Sequence, residues 1–371
     1  MGQRVGSVIR LLLPGLLLLY AVSAAEQPAL TTVMYLVNRP ASVASFQAHW
    51  QFVSIIAPQC FTMDAEGFIG GEVPPAVAET AREHADAVMP LVTNRGFNQP
   101  LMHTVLDSEE SRARAIRYLL YYALRDGYIG FQFDYENIKS FYRDKFSQFF
   151  HEAAVEFHKH HLLLTAAVVG KSIPGGSEDW SGVYDYPSLG RDADFLSIMA
   201  YPQHGAFSAP GPLAGLPWVQ GIVEFTRSTM PAKKISLGVP LYGFHWTAPA
   251  DPTAKWQARS TGFAATSTAI AGQTPEWRDD ESAYRVAFTD AAGRHELWYE
   301  DVRSVAEKLS LAASQKLAGM SAWVLGQEDP AMWELLARDY QIRHPRAAVL
   351  GGSFDQRSKS AARSLAAHPP R

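Results

Sequence analysis

The chain has one cysteine, Cys60, among 371 residues, so no disulfide can form within it and its stability must come from a packed core. No neighbouring histidine or acid supports Cys60 as a catalytic thiol, and it is expected to be a packed residue near a strand end. Charge is sparse as well. Charged residues make up 19% of the chain, the formal net charge is -4, and no basic stripe runs through its body. That excludes a nucleic-acid footprint. P-loop, dinucleotide fingerprint, G-x-S-x-G elbow and paired metal-binding cysteines are all lacking. His158, His160 and His161 cluster at a helix end, where positive side chains suit the dipole. Neither a metal nor a cofactor is expected.

Long apolar runs are missing too, apart from Leu11–Ala21 near the start. That run is shorter than the roughly 20 residues a membrane span needs, and Pro14-Gly15 interrupts it. Arg4 and Arg10 precede or open it, and Val22-Ser23-Ala24-Ala25 follows. A charged start, a short apolar stretch and a small-residue exit read as a signal peptide over residues 1–25, cleaved after Ala24 or Ala25. The mature protein is then expected outside the cytoplasm, secreted or periplasmic, with no transmembrane span. The alternative is an uncleaved anchor.

What remains is a chain with 47% hydrophobic residues, enough for a large core. Short β-rich runs alternate with helical patterns. Strands are read at 31–37, 52–57, 87–93, 128–134, 162–169, 195–200, 235–239 and 319–324. Helices are read at 75–84, 108–125, 216–228, 302–316 and 330–342. Another carries Phe146, Phe149, Phe150, Ala153 and Phe157 on one face. Eight apolar, non-alternating strands separated by helices fit parallel strands covered on the outside. The expected fold is α/β, a closed (β/α)8 barrel; 371 residues suit one such barrel of roughly 250 residues carrying insertions. Trp246 to Glu300 breaks the rhythm between strand seven and its helix. It contains an expected hairpin, 283–289 and 295–299, and reads as a small α+β insertion. The barrel domain is read as 26–343. The end, 344–371, is rich in Lys and Arg with Asp355 as its single acid, and is expected to be a flexible basic tail.

One heptapeptide carries chemistry: Gly130-Phe-Gln-Phe-Asp-Tyr-Glu136. Side chains alternate along a strand, so Gln132, Asp134 and Glu136 share one face and Phe131, Phe133 and Tyr135 the other. In a barrel the polar set faces the interior and its mouth, and active sites lie at the C-terminal strand ends. Two carboxyls that close cannot both ionise easily, so one is expected to keep its proton near neutral pH. The same residues could instead simply cap a loop.

Here the chain resembles glycoside hydrolase family 18, the chitinase-like family, whose strand four reads D-G-x-D-x-D-x-E. Asp134 and Glu136 match the last two acids, while Ile129 and Gln132 stand where the pattern has Asp. Ile198-Met-Ala-Tyr201, Lys234-Ile-Ser-Leu-Gly-Val-Pro-Leu-Tyr-Gly243 and Gly319-Met-Ser-Ala-Trp323-Val-Leu-Gly326 resemble its strands six, seven and eight. Glu136-Asn137-Ile138 and Pro90-Leu-Val-Thr-Asn94 look like the branch of spore-germination and cortex-lytic N-acetylglucosaminidases.

The resemblance implies a glycosidase with Glu136 as acid and base. Asp134 would hold the substrate's acetamido group, Tyr201 would bond its oxygen, and Trp323 would form the floor under the cleaved sugar. Gln132, Tyr242 and Asn94 would contribute to substrate binding. It further implies a retaining mechanism in which the acetamido oxygen, not an enzyme carboxylate, attacks the sugar. The partner expected is an N-acetylglucosamine glycan, peptidoglycan or a related oligosaccharide, met by a monomer. Chitin oligomers are the alternative substrate, and a noncatalytic glycan-binding protein the alternative class. Pro202-Gln203-His204 departs from the acid or amide that usually follows the strand-six tyrosine, and Gln203 or His204 is a candidate to replace that contact.

Overall fold

Eight short apolar segments become eight parallel strands in the computed structural model, which describes residue 2 and residues 27–84, 86–175 and 180–345. They are β1 (Ala29–Leu36), β2 (Ile55–Met63), β3 (Leu91–Asn94), β4 (Gly130–Phe133), β5 (Leu163–Val169), β6 (Leu196–Met199), β7 (Ile235–Pro240) and β8 (Gly319–Trp323). Each pairs with the next, and β8 pairs with β1 through Thr31 and Gly319, so the sheet closes. The fold is a (β/α)8 barrel. The signal-peptide reading and nearly all of the tail lie outside the described residues. No helix among the described residues is long and apolar enough to cross a membrane.

Two hydrophobic layers follow from the alternation. Val33, Tyr35, Ile55, Ala57, Met89 and Leu91 fill the barrel interior. The opposite faces of the strands pack against the helices in one large cluster. On β4 the outward set is aromatic. Phe133 meets Phe149 at 5.2 Å and Phe150 at 5.6 Å between ring centres, both from the helix Arg143–Lys159. Gly130 opens that strand because a Cβ there would stand 1.9 Å from the Leu163 carbonyl oxygen, so only glycine fits. The preceding helix, Glu109–Asp126, starts where Ser108 accepts a hydrogen bond from the Ser111 amide and stops at Gly127 with φ 73°.

Several boundaries differ from the sequence reading, each for a local reason. Residues 87–93 split into Ala87–Val88 and β3, because Pro90 offers no N–H to a ladder. Strand two begins at Ile55, since Trp50–Phe52 forms a single 3-10 turn. The last helix ends at Asp339, and Gln341–Ile342 then runs beside β1. The insertion after β7 starts at Tyr242 and contains a five-stranded antiparallel sheet with the helix Phe263–Ala269 packed on it. Its hairpin joins Ala283–Asp290 to Gly293–Tyr299. Trp246 and Trp298 pack inside this lobe, while Trp256 and Trp277 hold Arg294 and Arg303 against their faces.

Cys60 is half-buried and unpaired, its thiol pushed up to about 12 by burial and by Glu72. His158 bonds Asp194 at 3.2 Å, and among the described residues no group of histidines and acids is arranged to hold a metal.

Candidate active site

At the C-terminal end of the barrel a cavity of about 720 Å³ opens between the strand ends and their loops. β1 contributes Tyr35, β2 Gln59, β6 Met199 followed by Tyr201, and β8 Trp323, while the inserted lobe contributes Tyr242. Asp134 and Glu136 follow the last residue of β4 and both enter this space. A second cavity, of about 490 Å³, lies at the opposite end against Thr31 and Gly319, and among the described residues no acid lines it. Chemistry in such barrels belongs to the C-terminal end.

The carboxyl pair is the electrostatic centre. Asp134 is only 3% exposed, and Glu136 is half-buried at the cavity wall. Their side chains are hydrogen-bonded to each other. Burial raises Asp134 above the ordinary carboxylate range, while hydrogen bonds from Gln59 and Glu136 pull it back. Burial raises Glu136 too, and the charge of Asp134 and the bond to it raise Glu136 further. The pair thus holds one proton over a wide range, and Glu136 is the residue that keeps it.

Around the acids stands a ring of neutral groups. Burial holds Tyr35, Tyr201 and Tyr242 well above the usual phenol range, so they act as hydroxyl donors and acceptors, not as anions. Trp323 lines the same cavity and tilts against Tyr35 with 5.7 Å between ring centres. The Tyr201–Pro202 and Trp323–Val324 peptides are cis.

Two residues expected to touch substrate do not line the cavity. Gln132 is fully buried beneath it. Its Oε1 accepts from the Tyr35 hydroxyl at 2.6 Å, and its Nε2 donates to Thr165 at 3.0 Å and Ser197 at 3.1 Å. Ser197, Ser321 and Ser236 continue this network across the barrel at 2.7 and 2.6 Å. Asn94 is also fully buried and grips the backbone of Glu136 instead of facing the space. Gln203 and His204 do not replace the missing strand-six contact either. Gln203 accepts from the Gly215 amide at 2.9 Å, and His204 bonds the Ala209 carbonyl at 3.2 Å, so both shape their own loop.

Other lining residues carried no recognisable signal. Gln59 donates to Asp134, while Phe97, Trp180, Phe207 and Trp218 form an aromatic rim. Trp180 and Phe207 are 48% and 74% exposed. For Trp180 and Phe207 the sequence signal is a large apolar residue in a loop after a strand end.

The model for glycosyl hydrolases family 18 matches residues 77–328. The chain belongs to glycosyl hydrolases family 18. It is a glycosidase of that family. It is 24% identical over 315 residues to the uncharacterized glycosylase YvbX of Bacillus subtilis, an alignment covering 83% of this chain and 90% of that protein. Over 257 residues it is 28% identical to the cortical fragment-lytic enzyme of Bacillus subtilis, covering 67% of this chain and 58% of that enzyme. The crystal structure of the Bacillus megaterium QM B1551 spore cortex-lytic enzyme SleL superposes with a TM-score of 0.80 at 21% identity, covering 87% of this chain and 76% of the other.

Proposed function

We propose that this glycosidase cleaves β-linked N-acetylglucosamine glycans by a retaining, substrate-assisted mechanism. The observation that carries the reading is the placement of its acids. Asp134 and Glu136 stand two residues apart on one inner face and share a hydrogen bond, and among the described residues no third carboxyl lines the cavity. A conventional retaining pair needs carboxyls on opposite sides of the scissile bond, about 5–5.5 Å apart. Two acids two residues apart just past one strand's end approach from one side, which leaves the nucleophile to the substrate.

The steps follow from the proton inventory. Glu136 gives its proton to the glycosidic oxygen as the bond from C1 breaks. The acetamido oxygen of the same sugar attacks C1, forming a cyclic oxazolinium ion. Ionised Asp134 holds the acetamido N–H, and the Tyr201 hydroxyl bonds the acetamido oxygen. Glu136, now a carboxylate, takes a proton from the water that adds to C1, and the ring reopens. Two inversions release the β-anomer first. Trp323 supplies the apolar surface beneath the reacting sugar.

Peptidoglycan or its fragments is the proposed polymer. Support comes from the cortical fragment-lytic enzyme of Bacillus subtilis, whose match covers 67% of this chain. Incubation with peptidoglycan, muropeptides and chitin oligomers, with mass spectrometry of the products, separates this from cleavage of chitin. Glu136→Gln is expected to lose at least about 100-fold in activity while still binding glycan. Initial release of α-product, or ready cleavage of a de-N-acetylated oligomer, overturns the mechanism.

A further inference from the structure

Asp134 depends on neighbours from two strands. Glu136 shares one hydrogen bond with it. Gln59 on β2 supplies another, its Nε2 donating to Asp134 Oδ2 at 2.9 Å. Gln132 lies nearer in sequence but has nothing to offer. A side-chain amide has two hydrogens, and those of Gln132 are spent on Thr165 and Ser197.

A backbone irregularity brings Gln59 to this point. Gln59 and Phe61 oppose the consecutive residues Leu91 and Val92 of β3, so Cys60 is an extra residue, a bulge. Before the bulge, Ile55 and Ala57 face the interior in step with Gln59. After it, Phe61 and Met63 join the outer cluster. The bulge therefore lets one strand end in an inward amide and still bury two large side chains outward.

We propose that Gln59 is a positioning residue of the carboxyl pair, fixing Asp134 toward Glu136 by a charge-assisted hydrogen bond. The inference rests on the reading of Asp134 and Glu136 as the reacting acids. An amide N–H favours an ionised acceptor. With Asp134 ionised and held, the shared proton stays on Glu136, where the leaving group needs it. The other titratable groups around Asp134 are Glu136, Tyr35 of β1, Tyr184 of the loop after β5 and Tyr201 after β6; Tyr242 faces Glu136. Burial keeps all four tyrosines neutral, and no lysine or arginine lines the cavity among the described residues. Gln59 thus does locally what a cation does in other carboxylate sites, without adding charge.

The test compares the wild type with Gln59→Ala and Gln59→Glu, each checked for an unchanged circular dichroism spectrum. Carbon-13 carboxyl NMR follows the titration of Asp134, assigned through Asp134→Asn, and needs no turnover. Gln59→Ala is expected to move that titration up by about one pH unit. Gln59→Glu should move it further, because a second carboxylate replaces the donor. On an N-acetylglucosamine oligomer, kcat should fall about tenfold with KM within about twofold, and the acidic limb of the profile should move up with the titration. An Asp134 titration that stays put in both folded variants overturns the proposal. A change confined to KM, with the acidic limb unmoved, makes Gln59 a sugar contact and overturns it as well. A wild type inert on N-acetylglucosamine glycans, with the titration still shifted in Gln59→Ala, upholds the positioning bond and overturns the catalytic reading instead.

Discussion

The side chain of Asn94 continues a backbone ladder to Glu136. The Gln132 amide bonds the Pro90 carbonyl at 3.0 Å and the Asp134 amide bonds the Val92 carbonyl at 2.9 Å. At the next step the Glu136 amide bonds not a carbonyl but Asn94 Oδ1, at 3.1 Å, while Asn94 Nδ2 donates to the Glu136 carbonyl at 3.0 Å. The backbone just beyond is clamped as well. Asn137 has φ 57°, accepts from Gln99 at 3.1 Å and donates to the Phe97 carbonyl at 3.0 Å. Asparagine is among the residues that tolerate that conformation.

Asn94→Ala should therefore act through Glu136 without touching glycan. It strands one buried amide and one buried carbonyl, at a cost of about 1–3 kcal/mol for each group left unpaired. A displaced acid should lower kcat by about 100-fold with little change in KM. Asn94→Asp keeps the acceptor for the Glu136 amide but loses the donor, and should fall between the two. Steady-state kinetics with a glycan substrate and denaturant unfolding measure both effects; a loss confined to KM would make Asn94 a substrate contact.

Beneath the inserted lobe, Lys308 and Glu300 form an ion pair of 2.7 Å with both side chains shielded from solvent. Glu300 also raises the Tyr242 phenol, which ties this pair to the cavity wall. Lys308→Met leaves a buried carboxylate without a partner and should cost about 3–5 kcal/mol. Replacing both, Lys308→Met with Glu300→Leu, should recover most of that loss, because the uncompensated charge is gone. Chemical denaturation of the three proteins checks the order. Equal loss in the single and double variants would mean that packing, not charge, dominates there.

The barrel was legible because period and composition agree. Apolar runs of strand length alternate with helical faces such as Phe146, Phe149, Phe150 and Phe157; Phe149, Phe150 and Phe157 do pack against β4, and Phe146 packs edge-on to Tyr184. The face shared by Asp134 and Glu136 was legible for the same reason, since a period of two needs no partner to be read. Gln132 was legible as inward-facing but not as fully spent, because its partners Tyr35, Thr165 and Ser197 come from three other strands. The tasks of Asn94 and Gln59 depend on inter-strand register, and for Gln59 on a bulge that nothing local announces. Trp180 and Phe207 sit in loops whose course no periodicity describes.

The pattern Arg4, Arg10, Leu11–Ala21 and Ala24-Ala25 gives an expectation independent of the fold. Protein recovered from outside native cells should begin at Ala25 or Glu26. N-terminal sequencing settles it, and an intact Met1 or Gly2 on the exported form would refute the cleavage.

The acid pair should also couple both activity and stability to pH. Under the proposed mechanism hydrolysis needs Asp134 ionised and Glu136 protonated, which gives a bell-shaped profile belonging to the pair as a whole. Both groups are raised, chiefly by burial, so both limbs should lie above the ordinary carboxylate range, the alkaline limb most of all. Stability follows from the same shifts. A carboxyl raised on folding binds its proton more tightly in the native state, so its favourable contribution is complete below the unfolded value. That contribution is lost as pH rises through the folded one. For Glu136 the loss runs from about pH 4.3, the unfolded reference, up through its raised native value. Glu136→Gln carries no ionisable group at that position. The variant should therefore unfold at a temperature close to wild type at about pH 4 and at a higher temperature than wild type at about pH 9. Thermal melts of the two proteins across this range give the difference directly. A gap that does not widen with pH would mean that Glu136 ionises as easily in the folded chain as in water, and the site would then lack the proton the proposed mechanism calls for.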